Sequence, residues 1–137
     1  MRRDREAGFT LIEMCVLIAV LGTLLGVVVV GTSHMVRSSR LAGASNVLVA
    51  DLRYARMLAT SQGSSVEMRF QPSGYSVVRV TPARTLLSRQ CPSGVTCAAT
   101  DTATFYAWGL SAPVTITLAG AGGSKVFQLG ANGSITR

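Results

Sequence analysis

Phe9-Thr10-Leu11-Ile12-Glu13-Met14-Cys15-Val16-Leu17-Ile18-Ala19-Val20-Leu21-Gly22-Thr23-Leu24-Leu25-Gly26-Val27-Val28-Val29-Val30-Gly31 is an apolar run whose only charge is Glu13. Its 23 residues would span roughly 34 Å as a helix, enough to cross a hydrocarbon core of about 30 Å. A secretory signal has a shorter apolar stretch of about 7–15 residues. An ordinary membrane anchor accounts for the length but not for Glu13. A carboxylate inside a bilayer is costly, by roughly 2.5 kcal/mol or more at a helix centre, so it marks a function and needs a partner.

Outward from this run, Arg2, Arg3 and Arg5 precede it, interleaved with Asp4 and Glu6. The positive-inside rule counts Arg and Lys and largely ignores acids, which leaves the amino terminus cytoplasmic and the body outside. Arg37 and Arg40 argue mildly the other way. Gly22 and Gly26 form a small-xxx-small pair, which suits close packing against a neighbouring helix. Glycines are also simply common in membrane helices.

Past Gly31 the helix is expected to continue. Leu41, Leu48, Leu52, Ala55 and Leu58–Ala59 recur at helical spacing, no proline occurs before Pro72, and Gly63 is a natural stop. One helix from about Phe9 to Gln62 would measure roughly 80 Å. After Gly63 the period changes to two. Val66, Met68 and Phe70 alternate, Gln71-Pro72-Ser73-Gly74 reads as a turn, and Tyr75–Val80 follows as a second strand. Further strands are expected at about Ala103–Trp108, Val114–Leu118, Lys125–Leu129 and Ser134–Thr136, punctuated by Ala119–Gly123 and Gly130–Gly133. The pattern reads as α+β, an antiparallel sheet packed on the amphipathic half of a long amino-terminal helix.

Cys91 and Cys97 bracket Pro92-Ser93-Gly94-Val95-Thr96 in a polar stretch. In an oxidising compartment a disulfide closing this loop is expected, fixing a surface loop from about Thr81 to Thr102. A metal site lacks two further ligands, and a reactive dithiol lacks the Cys-x-x-Cys spacing. Cys15 reads as a small apolar residue. His34 is the only histidine, and the six acids form no pair, cluster or triad that would support catalysis. No enzyme activity and no cofactor is expected. The 13 basic residues against six acids give +7, of which the first eight residues hold +1. A basic body of +6 suits nucleic acid, anionic lipid or an acidic partner, and equally fits a solvated surface that happens to be basic.

Gly8-Phe9-Thr10-Leu11-Ile12-Glu13 resembles the processing site of type IV prepilins and type II secretion pseudopilins. Asn46–Ala59, with Asp51-Leu52-Arg53-Tyr54-Ala55-Arg56 at its centre, and the closing Phe127–Arg137 resemble the GspH/FimT family. The resemblance implies a pilin-like fold. It implies a leader at residues 1–8 removed by prepilin peptidase after Gly8, N-methylation of Phe9, and a membrane or filament-core helix at 9–31. An amphipathic continuation at 32–62 and a periplasmic β-rich domain at 63–137 would follow. Glu13 of one subunit would pair with the Phe9 ammonium of its neighbour, since two buried charges are far cheaper together than apart. The helix would be free to unwind near Gly22 and Gly26 on assembly. The implied role is a minor pseudopilin of type II secretion in the inner membrane, assembling with other pseudopilins. The alternative is a minor pilin of a type IV pilus. Some DNA-binding members end in Gly-Arg-x-Arg; here Gly133-Ser134-Ile135-Thr136-Arg137 keeps the glycine and Arg137 but lacks the first arginine.

Overall fold

The computed structural model describes residues 10–137, with the side chains of residues 27–34 outside that description. The leader at 1–8, the Gly8–Phe9 junction and the Phe9 amine therefore lie outside the described residues. These residues form one α-helix, α1 (Leu11–Gln62), and eight strands. The strands are β1 (Val66–Gln71), β2 (Gly74–Arg79), β3 (Arg84–Gln90), β4 (Val95–Ala99), β5 (Ala103–Phe105), β6 (Val114–Gly120), β7 (Gly123–Leu129) and β8 (Ile135–Thr136). Two compact units divide the chain between Met35 and Val36.

In the first unit Thr10 immediately precedes α1, and its Oγ1 accepts the Glu13 amide at 3.4 Å. Thr10 and Glu13 thus stand as N-cap and third helical residue, the Thr-x-x-Glu spacing of a capping box. From Leu11 to Gly26 every described side chain is exposed, Leu11 at 83%. Among the described residues no helix is long and apolar enough to cross a membrane. The expected anchor at 9–31 lies partly outside them.

In the second unit α1 presents Leu41, Ser45, Leu48, Leu52, Ala55 and Ala59 as one buried stripe, spaced by alternating fours and threes. Ser45 enters that stripe because its hydroxyl donates to the Leu41 carbonyl at 2.7 Å, one turn back. The helix stops at Gly63, whose φ of 58° is the left-handed C-terminal cap that a Cβ would strain.

The strands make two antiparallel four-stranded sheets, ordered β3-β2-β1-β5 and β4-β6-β7-β8. Their inward residues alternate as pleating demands: Val66 and Met68, Tyr75 and Val77, Ile116 and Leu118, Phe127 and Leu129. With the α1 stripe they form one core around the fully buried Phe105 and Phe127. Burial of each such ring is worth about 1.5–3 kcal/mol. Ser111 ties the sheets together: it bridges Phe105, its amide reaches the Ala131 carbonyl at 3.0 Å, and its hydroxyl reaches the Gly130 carbonyl at 2.6 Å. The β6–β7 turn presses on α1. A Cβ at Gly122 would stand 2.9 Å from the Ser38 backbone, which only glycine permits.

The expected loop at 81–102 is corrected by this structure: most of it is β3 and β4, one at an edge of each sheet. The signal was weak for physical reasons. β3 reads Arg-Thr-Leu-Leu-Ser-Arg-Gln, without alternation, because a bulge at Leu86 breaks its register against Val77 and Val78. β4 points the small residues Val95 and Cys97 inward, a sparse apolar signature. The strand expected to reach Trp108 stops at Phe105, where the chain turns so that the Gly109 amide meets the Tyr106 carbonyl at 2.9 Å.

Candidate functional site

Glu13 sits in the first turn of α1, exposed, where the helix dipole favours a carboxylate by about 0.3–1 kcal/mol. Its carboxylate joins neither ion pair found among the described residues, Arg69–Glu67 and Arg89–Asp51. A Cβ at Gly22 or Gly26 would meet nothing within 4 Å, so this chain's own packing does not call for glycine at either position. Cys15 is a free, exposed thiol.

In the second unit, Asp51 organises one face of α1. The Tyr75 hydroxyl donates to Asp51 Oδ2 at 2.7 Å. Arg89 Nε donates to the same oxygen at 2.6 Å, and its Nη2 donates to Oδ1 at 3.3 Å. Burial, and then the hydrogen bond to Asp51, push the Tyr75 hydroxyl well above its ordinary pKa. The same carboxylate raises that of Arg89. An acid flanking an apolar stripe is stable only when paired in this way, and here the pairing fastens α1 to β2 and β3.

Arg56, further along the same helix, uses its guanidinium differently. Nε donates to the Gly109 carbonyl at 3.1 Å, Nη1 to Gly133 at 3.3 Å and Nη2 to Asn132 at 3.1 Å. One side chain thereby holds the β5–β6 loop and the β7–β8 turn against α1. Asp51 and Arg56 are thus the two polar anchors of the Asp-Leu-x-x-Ala-Arg segment, one for each sheet's periphery. Sequence reading left both without a role. The signal was there in an acid and a base bordering the buried positions 48, 52 and 55.

Cys91 and Cys97 are joined by a disulfide. Cys91 follows β3 and Cys97 lies within β4, so the bond links the edges of the two sheets. Arg137 rests over the Phe127 ring, 5.7 Å from its centroid. It lines a hollow of about 390 Å³ together with Arg53 and Asn46. Trp108 stands 71% exposed, stacked on Tyr106 with ring centroids 5.4 Å apart. Among the described residues no group of three His, Cys, Asp or Glu side chains could hold a metal; the His34 side chain lies outside them.

The family profile described as "Type II transport protein GspH" matches residues 44–133. No curated protein sequence matches the chain. Among solved structures, the type IV minor pilin FimU of Pseudomonas aeruginosa superposes with a TM-score of 0.61 at 22% identity, covering 72% of this chain and 87% of that one. The minor pseudopilin EpsH from the type 2 secretion system of Vibrio cholerae superposes with a TM-score of 0.59 at 11% identity, covering 69% and 92%. At these identities the likeness is one of fold.

Proposed function

This chain belongs to the GspH family of type II transport proteins, and from that footing we propose that it is a minor pseudopilin of a type II secretion system. In this reading prepilin peptidase cuts after Gly8, and the new amino terminus at Phe9 is methylated. The run at 9–31 holds the chain in the inner membrane before assembly, with the amino terminus cytoplasmic and the second unit periplasmic. On assembly it enters the filament core.

The observation that carries the reading is the coincidence of two segments: a GspH-matching body at 44–133 and an apolar run broken only by Glu13. Glu13 compensates the Phe9 ammonium of a neighbouring subunit, since each charge alone is costly in an apolar core. Its position in the first turn supports this, because it keeps the carboxylate beside the end of the helix where that amine would arrive.

A minor pilin of a type IV pilus is the second reading, favoured by the hollow that brings Arg137 and Arg53 to one surface. Contact with DNA there would rest on phosphates and weaken steeply with salt. A deletion strain scored in parallel for secreted proteins, surface pili and DNA uptake separates the two. Lost secretion with intact pili is the expected result. Intact secretion with lost pili or uptake would replace it with the second reading.

A further inference from the structure

Between α1 and the β3–β4 connection lies an open groove of about 340 Å³, at the lower end of ligand-site volumes. One wall is the helix face at Gly43, Ala44 and Val47; the other is Pro92 with the Cys91–Cys97 disulfide, over a floor at Leu118. The lining is largely apolar, and the walls are fixed in advance. The disulfide and Pro92 hold one, and the Asp51–Tyr75–Arg89 cluster ties the helix wall to β2 and β3. Preorganised walls reduce what binding must spend on ordering.

Two features point outside the chain. The first is Gly43. It sits in the interior of α1, where glycine is among the least favourable residues. A Cβ there would meet nothing within 4 Å, so alanine would favour the helix and disturb no neighbour. The folded chain gives no reason for the missing side chain, whereas a body lying in the groove does. The second is charge. Arg40 and Arg89 stand at the groove. The ion pairs among the described residues, Arg69–Glu67 and Arg89–Asp51, leave Arg40 without a carboxylate. Arg89 spends only Nε and Nη2 on Asp51. Arg37 adds to this field from an adjoining hollow that it shares with Arg40.

We propose that this groove docks an acidic, apolar peptide segment of another protein, its aliphatic side chains over Gly43 and a carboxylate at Arg40 and the remaining Arg89 donors. The groove offers these contacts whether or not the chain enters a filament. The full chain in detergent, titrated with a fluorescent, end-capped peptide alternating leucine and glutamate, tests this by anisotropy. Two control peptides replace glutamate with lysine or leucine with serine. The acidic, apolar peptide is expected to bind about tenfold more tightly than either control, and Arg40→Glu to weaken it about tenfold. Gly43→Leu is expected to abolish binding while the melting temperature holds or rises. Equal affinity for the three peptides, no binding, or undiminished binding by a folded Gly43→Leu chain would each overturn the proposal. Self-association lost in Gly43→Leu without any peptide preference would overturn it in favour of a second copy as the occupant.

Discussion

Leu11 and Leu25 of α1 are 83% and 65% exposed, whereas Leu48 and Leu52 of the same helix are fully buried. The residue type and the helix are shared; what differs is whether the chain supplies a counterpart. From Val36 onward the two sheets cover the apolar stripe, and Asp51 and Arg56 at its border are paired within the fold. From Leu11 to Gly26 the apolar side chains find no cover in the described residues, an exposure that marks a surface made for contacts elsewhere. On the proposed reading the first region serves assembly, while the second serves folding.

Truncation in the two regions should therefore give opposite outcomes. Leu52→Ala is expected to lower unfolding stability by about 2–5 kcal/mol through lost burial and a cavity. Ile18→Ala should leave the melting of the full chain in detergent within the scatter of surface substitutions, about 0.5 kcal/mol, and reduce incorporation into filaments. Equal loss of stability in both would erase the distinction.

Asp51→Ala comes next. It strands the Tyr75 hydroxyl and the Arg89 guanidinium, and should cost about 2–3 kcal/mol by denaturant titration. Arg89→Met alone should cost less, since Arg89 is 43% exposed along its side chain and partly served by water. Replacing both cysteines with alanine should remove about 2 kcal/mol, the loop-closure entropy for a sequence separation of six. Because the bond spans the edges of both sheets, protection from hydrogen exchange should fall first in β3 and β4.

The smallest expected effect is on alkaline stability. The folded Tyr75 hydroxyl titrates above its unfolded value of 10.0. The stability it contributes is fully present below about pH 10 and is lost as the pH climbs from there towards the folded value. Tyr75→Phe, which forgoes the hydrogen bond, should show a shallower alkaline decline than the parent chain. An identical decline would show that other groups govern it.

Much of this was legible from residue spacing. The buried stripe at 41, 48, 52, 55 and 59, the stop at Gly63 and the β1–β2 hairpin all follow from period 3.6 giving way to period 2. The segment at 81–102 was not legible, since β3 hides its period behind a bulge and β4 packs small residues. Nor were the anchors. Asp51 and Arg56 read as surface charges until the fold brings Tyr75, Arg89 and the Gly109, Asn132 and Gly133 carbonyls to them from 24 to 77 residues away. Long-range polar pairing leaves no periodic trace. The N-cap at Thr10, with Glu13 at the Thr-x-x-Glu spacing, could have been read locally, but a carboxylate in an apolar run draws attention to the membrane before the helix end.

Glu13 is where the two regions can be set apart most directly. Glu13→Ala, expressed in cells and compared with the parent chain for processing, melting and recovery in sheared filaments, isolates assembly from folding. Cleavage after Gly8 and unchanged melting, together with loss of most of the chain from the filament fraction, is the predicted result. Filament incorporation equal to that of the parent chain would contradict the account, and would leave Glu13 as a first-turn carboxylate and nothing more.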